Sequence, residues 1–291
     1  MDDARTLLRR YGLRPRKSLG QNFLVDPAAL RRIIGCASVA DEDTVLEIGA
    51  GLGTLTAALA ARAARVVAVE TDPHLVQVLQ QEMGGVANVQ LIHGDILDLE
   101  PAALLGVDLQ RMSPAPALWG PRLPHYLVVA NLPYYITNAV VRHLLEARVR
   151  PERLVLTVQR EVAQRMVAGP GAMSLLSVSV QFYGRPTLCA RIGRGAFFPA
   201  PKVASAVVRI DSYEQPPVAV DDIARFFRIV RAGFAQRRKQ LHNTLSAGLG
   251  LPGPQVVQAL EAQGLDPRAR AETLSIEAWG RVYRAIAPYL A

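Results

Sequence analysis

The stretch that most limits how this chain can fold is Thr44-Val45-Leu46-Glu47-Ile48, a short apolar strand running straight into Gly49-Ala50-Gly51-Leu52-Gly53 and then a helical run from Thr54 to Arg62. A second apolar run, Arg65–Val69, follows and ends in Glu70. Strand, glycine turn, helix and strand in succession make a unit of an α/β sheet, and the same alternation continues to about residue 210, which predicts a mostly parallel sheet with helices on both faces. Glycines at a strand-to-helix turn let the backbone approach a ligand closely. Thr54 stands where the full dinucleotide fingerprint needs its last glycine. Glu70 lies 21 residues after Gly49, where a carboxylate accepts from both hydroxyls of a ribose. A lone G-x-G and a strand-terminal acid are each weak signals. Together they favour a nucleoside site over a plain turn.

Further along, Val89–His93 reads as a strand ending in Gly94-Asp95, whose carboxylate is placed to accept from an adenine amino group. His93 reads as a packed strand residue, since no second ligand sits at metal spacing; no metal is expected. Tyr126–Ala130 is another buried strand, and Asn131-Leu132-Pro133-Tyr134-Tyr135 follows it directly. Proline pushes Leu132 out of the helical region, so a carboxamide, a rigid turn and an aromatic ring come together at the carboxyl end of a strand. Asn131 and the Pro133 carbonyl then offer acceptors to an exocyclic amine, and the ring of Tyr134 can stack on a base.

The remaining elements are predicted as helices over Pro27–Ala37, Pro73–Met83, Thr137–Ala147 and Arg160–Val167, and strands over Arg153–Val158, Ser174–Tyr183, Pro186–Ile192 and Ala204–Ile210. Residues 101–125, rich in proline and carrying Trp119, read as a long loop. Pro216-Pro217 marks a boundary, after which Asp221–Leu245, Pro252–Gln263 and Ser275–Ala287 read as helices. This gives a catalytic domain over 1–213, with an N-terminal basic arm, and a small all-α domain over 214–291.

A net charge of +8, with 30 arginines against three lysines, points to a polyanion partner. Candidate phosphate contacts are Arg16 and Lys17 in the basic arm, Lys202 after the Phe197-Phe198 pair, and Arg237, Arg238 and Lys239. The bland alternative for each is a solvated surface. It weakens for the last three, because no carboxylate lies between Asp222 and Glu261 to neutralise them. No apolar run is long enough for a membrane span, residues 1–15 lack the apolar core of a signal peptide, and Cys36 and Cys189 show no redox or metal spacing. The expectation is a monomer in a reducing cytoplasm.

The stretches Gly20–Leu24 (GQNFL), Glu47–Gly53, Val69–Glu70, Gly94–Asp95, Asn131–Tyr135 (NLPYY), Phe197–Val203 (FFPAPKV), Phe234–Leu245 (FAQRRKQLHNTL) and Arg270–Leu274 resemble, in order, the ribosomal RNA adenine dimethyltransferases of the bacterial small subunit. The resemblance implies a Rossmann-like S-adenosylmethionine-dependent methyltransferase sheet. It also implies dimethylation of N6 of two adjacent adenosines near the 3′ end of small-subunit ribosomal RNA, coupled to subunit assembly. On the positions that match, Asn22, Leu24, Gly49, Gly51, Glu70, Asp95 and Asn131 would bind the donor. Asn131, Leu132, Pro133 and Tyr134 would hold the target adenine, with Phe197 stacking opposite Tyr134. The chain departs from the family at Ser18-Leu19, at Met173-Ser174-Leu175 and in the length of 101–125. Two other readings compete: a large-subunit methyltransferase of the macrolide-resistance type, disfavoured by FAQRRKQLHNTL, and a non-catalytic assembly factor of the same fold.

Overall fold

The structure is a computed structural model, described for residues 4–107 and 125–290. Its elements in chain order begin with α1 (Ala4–Arg10), β1 (Phe23–Leu24), α2 (Pro27–Ala37), β2 (Thr44–Ile48), α3 (Thr54–Ala60), β3 (Arg65–Glu70), α4 (Pro73–Met83) and β4 (Val89–His93). There follow α5 (Pro101–Leu104), β5 (Leu127–Asn131), α6 (Thr137–Leu145), β6 (Arg153–Gln159), α7 (Arg160–Met166), α8 (Leu175–Tyr183), β7 (Gly184–Ile192), β8 (Phe197–Phe198) and β9 (Ser205–Ser212). The chain ends in α9 (Ile223–Phe234), α10 (Leu241–Leu249), α11 (Gly253–Ala262) and α12 (Ile276–Ile286).

Seven strands form one sheet in the order β4-β3-β2-β5-β6-β9-β7. Strands β2 to β6 pair in parallel, and β9 runs antiparallel to β6. Alternate strand residues such as Val45, Val66, Val129, Val155 and Val207 share one buried cluster with Ile33 and Ala37 of α2 and Leu55 and Leu59 of α3. Each such aliphatic side chain contributes about 1.5–3 kcal/mol by leaving water. The chain order reverses between β2 and β5, so the crevice at their carboxyl ends is where an open α/β sheet takes its ligand. Strand β1 pairs with β8 in a separate two-stranded ribbon, with Phe23 opposite Phe198 and Leu24 opposite Phe197.

The described residues fall into two compact units, one of residues 4–107, 125–163 and Pro186–Ser212, the other of Gln164–Arg185 and Tyr213 to 290. Residues Gln164–Arg185, which the sequence reading assigns to the first domain, thus belong with the helical one.

Three expectations need correction, and one element is unforeseen. Ser174–Tyr183, read as a strand, is helix α8 behind a capping box of Ser174 and Ser177. Ser177 and Gln181, four residues apart and so on one helix face, donate to the carbonyls of Arg165, Met166 and Ala168 at and just beyond the end of α7. Asp221–Leu245, read as one helix, is two: Leu241 and His242 donate backbone N–H groups to the carbonyls of Ala269 and Pro267, so a second helix starts without stranded donors. A Cβ on Gly248 would lie 2.8 Å from that of Ala232, so glycine there lets α10 close on α9. The loop expected over 101–125 opens with α5, and its remainder from 108 to 124, Trp119 included, lies outside the described residues. Helix α1, which the sequence reading does not foresee, buries Leu7 and Leu8, and Arg5 sits 5.1 Å above the ring of Phe198.

Candidate active site

A cavity of about 160 Å³ opens at the crevice between β2 and β5. Its wall is built from four segments: residues 19–24, the glycine turn, the ends of β3 and β4, and Asn131 to Ile136. The glycine turn is shaped by Gly49, Gly51 and Gly53, all at positive φ (73°, 62° and 83°), a region closed to most side chains. Gly49 and Ala50 donate to the carbonyl of Val69 at 2.9 and 3.2 Å, which ties the turn to β3.

Two carboxylates of contrasting environment stand on the neighbouring strands. Glu70 is buried, with Oε2 accepting from the Gly51 N–H at 2.8 Å and Oε1 from the Thr71 and Asp72 N–H groups at 3.0 and 2.9 Å. Burial raises its pKa, against the pull of those three donors. Glu47 on β2 is 1% exposed, and neither of its oxygens has a hydrogen-bond partner among the described residues, the Thr56 hydroxyl being near it but outside bonding geometry. Burial pushes it up to about 8, with the nearby Thr56 hydroxyl pulling it down and the charge of Glu70 adding to the rise. A buried, unpartnered carboxylate on a cavity wall is costly unless it stays protonated or meets a cation.

Asn131 donates its amide Nδ2 to the carbonyl of Asn22 at 3.1 Å. A carbonyl only accepts, so this bond fixes the amide and leaves Oδ1 as an acceptor with no partner among the described residues. The sequence reading pairs it with the Pro133 carbonyl, and here a correction is needed: that oxygen already receives the Ile136 N–H at 3.3 Å and the Thr137 hydroxyl at 3.5 Å. Within the same stretch the Leu132 carbonyl has no partner among the described residues. Tyr134 is half-buried, its hydroxyl 2.7 Å from that of Ser205 on β9, and burial raises its pKa.

Asn22, Leu24, Gly49, Gly51, Glu70, Asp95, Asn131, Leu132, Pro133 and Tyr134 all line this one cavity. Asp95 uses Oδ1 to cap the short turn at Leu97. Phe197 does not line it: its side chain is 3% exposed and packs in the core with Leu24, so it does not face Tyr134 across the cavity.

The family model for ribosomal RNA adenine dimethylase matches residues 12–288. The chain belongs to this family. It is 45% identical to ribosomal RNA small subunit methyltransferase A of Moorella thermoacetica, over 96% of this chain and 95% of that one. To the protein of the same name from Dehalococcoides mccartyi strain CBDB1 it is 43% identical, over 97% and 92%. Among solved structures, the 23S rRNA methyltransferase ErmE superimposes with a TM-score of 0.68 at 28% identity, covering 91% of this chain and all of that one. A dimethyladenosine transferase from Plasmodium falciparum gives 0.74 at 23% identity, over 91% and 98%, and so shares the fold. The protein is an rRNA adenine dimethyltransferase with the Rossmann-like sheet of that family.

Of the expected RNA contacts in this dimethylase, Lys17, Lys202, Arg237, Arg238 and Lys239 are exposed. The last three lie in the bend between α9 and α10, not on a helix face. Arg16 is exposed too, and it also donates to Asp72 at 3.3 Å. Sequence reasoning assigns no role to Glu47, Asp72, Gln21 or Ser205. Glu47 could have been found from its place one residue before the end of the strand that feeds the glycine turn; the others act through partners far away in the chain, with no local signal. No helix among the described residues is long and apolar enough to cross a membrane.

Proposed function

We propose that this protein transfers methyl groups from S-adenosylmethionine to N6 of adenine, dimethylating two adjacent adenosines near the 3′ end of small-subunit ribosomal RNA during subunit assembly. The observation that carries the reading is the pair of free acceptors, Asn131 Oδ1 and the Leu132 carbonyl, held at one end of a cavity whose other walls suit a nucleoside cation. The fit to the donor rests on Glu47: an orphaned carboxylate in the wall calls for a positively charged ligand. Glu70, Asp95 and the backbone of the glycine turn would hold the ribose, the adenine and the close approach of the ligand. The donor, when bound, supplies an electrophilic methyl group on a sulfonium.

The rest is done by the protein's own groups. An adenine amine is a poor nucleophile because its lone pair is spread into the ring. Two acceptors on its two hydrogens, Asn131 Oδ1 and the Leu132 carbonyl, would fix the amine and turn that lone pair toward the donor. Positioning and fixed dipoles then lower the barrier without a dedicated base. The target base must leave its stack to enter such a site, and the ring of Tyr134 offers a replacement surface. The names of the 40–45% identical relatives support the small subunit as the substrate over the large one.

The experiment is primer extension across the 3′ end of small-subunit RNA after incubation with donor, using subunits that lack the mark. Methyl transfer by the parent and its near loss in Asn131→Ala, with donor binding largely kept, is the expected result. A parent without activity on small subunits, or Asn131→Ala transferring at close to the parent rate, would refute it.

A further inference from the structure

Asp72 sits at the head of α4, 3% exposed, and its carboxylate is shared among three donors. Oδ1 accepts from the His74 N–H at 3.0 Å, which caps the helix, and from Arg16 Nη1 at 3.3 Å. Oδ2 accepts from Gln21 Nε2 at 2.9 Å. The other end of the Gln21 amide accepts the Arg16 backbone N–H at 2.8 Å. One helix cap needs one oxygen. The second holds the segment that runs from Arg16 to Leu24, and that segment lines the donor cavity from Leu19 onward.

The next residue along, Asn22, is where this hold reaches the reacting end of the cavity. Its backbone carbonyl takes the amide hydrogen of Asn131, while its own side chain is turned back on the Gly20 carbonyl at 2.8 Å. The Asn131 amide is therefore oriented by a loop carbonyl 109 positions away, and that loop is anchored beside it by Gln21 on Asp72. Asp72 also donates its N–H to Glu70 at 2.9 Å, so the same residue is bonded to Glu70 directly and to the segment that carries Asn22 through Gln21.

We propose that Asp72 and Gln21 are positioning residues for methyl transfer: their hydrogen bond clamps residues 16–24 so that the Asn22 carbonyl holds the Asn131 amide with Oδ1 free for the target amine. This rests on the reading of the cavity as the donor and adenine site. A loop carbonyl that drifts by even an ångström leaves the amide free to turn and present its NH2 to the target amine. Misplacement on that scale costs on the order of a hundredfold in rate.

The test exchanges the two ends of the bond. Asp72→Asn keeps an oxygen for the helix cap but sets two amides against each other, and Gln21→Glu sets two carboxylates against each other. The double variant restores the bond with donor and acceptor reversed and the charge of the pair unchanged. Kinetics of methyl transfer on unmarked small subunits and calorimetry with S-adenosylmethionine are run on all four proteins. The expected result is kcat down about ten- to a hundredfold in each single variant, KM for RNA near the parent value, and kcat in the double variant back to within about threefold of the parent. Parental kcat in the single variants, in a parent that binds the donor, would overturn the positioning role alone. Single-variant losses that the double variant does not repair would also overturn it, by showing local damage in place of a broken clamp. Failure of the parent itself to bind the donor would instead remove the reading of the cavity on which the inference stands.

Discussion

Replacing Glu47 by glutamine should make this protein's stability less dependent on pH. The carboxylate is 1% exposed, its oxygens are unpartnered, and burial holds its pKa up at about 8. In the unfolded chain a glutamate titrates near 4.3. Between those two values the folded protein carries a proton on Glu47 that the unfolded chain has lost. The folded state therefore binds more protons, and stability falls as pH rises, by about 1.4 kcal/mol per unit for this one group. The contribution is whole below about pH 4.3 and is lost by the time pH passes about 8, a total of about 3–5 kcal/mol. Glutamine copies the shape of the neutral acid and does not titrate. It leaves an orphaned amide that costs about the same at every pH, so the informative quantity is the slope and not the offset.

The assay is urea unfolding of parent and Glu47→Gln from pH 5 to 9. The difference in unfolding free energy should shift in favour of the variant by several kcal/mol across that range, with most of the change below pH 8. With S-adenosylmethionine present the parent should recover, because a cation in the cavity favours the ionised carboxylate. Calorimetry at pH 7 in buffers of different ionisation enthalpy should then show a proton released on donor binding by the parent and none by the variant. Parallel stability curves for the two proteins would refute the claim that Glu47 is protonated in the folded state.

Glu70→Gln should weaken donor affinity by about ten- to a hundredfold, since one acceptor becomes a donor facing a backbone N–H or a ribose hydroxyl; equal calorimetric affinities would count against a ribose-binding role. Ser205→Ala removes the partner of the Tyr134 hydroxyl and should lower kcat by about two- to tenfold with donor affinity unchanged; an unchanged kcat would show that the ring needs no such anchor. Changing Arg237, Arg238 and Lys239 together to alanine should weaken binding to small subunits and lower the salt slope by roughly one unit for each phosphate no longer neutralised, which a salt titration of subunit binding checks; parental affinity at every salt concentration would return the three residues to a solvated bend.

The positions legible in the sequence are those whose role is written locally. The glycine turn, Glu70 and Asn131 each sit at a strand end, and a strand end is where the crevice forms, so their convergence on one cavity follows from alternation alone. Ser174–Tyr183 misleads because Leu176, Val178, Val180 and Phe182 alternate with polar residues as a strand would. What decides for helix is the cap at Ser174 and two side chains spaced to satisfy the end of α7, which are tertiary facts. The break between α9 and α10 carries no glycine or proline either. It is made possible by carbonyls of Pro267 and Ala269, some 25 residues further on. Phe197 is placed at the site by motif alone, and the motif does not say which face of a two-residue strand turns inward. Asp72 caps α4, but the partner that gives it a second task, Gln21, lies 51 residues earlier, and nothing local announces it.

The contrast between Glu47 and Glu70 shows how one sheet gives two acids different work. They sit on paired strands, β2 and β3, and both end up buried. Glu70 comes at the last position of β3, where the chain turns and three backbone N–H groups gather around its oxygens. Burial raises its pKa, and those donors pull the other way by favouring the ionised form; with three N–H groups on its oxygens, one lone-pair direction is left to accept a hydroxyl. Glu47 comes one residue inside the end of β2, where the strand is paired on both sides, with β3 and β5. Its oxygens meet no backbone donor and only the Thr56 hydroxyl stands near, so burial dominates and raises its pKa to about 8. A neutral acid that becomes a counter-ion on demand should favour a sulfonium-bearing donor over its neutral-sulfur product, and the pH dependence of donor against product affinity is where that preference should be seen: loss of Glu47 should narrow the ratio of the two affinities, and a ratio unchanged in Glu47→Gln would place the selectivity elsewhere in the cavity.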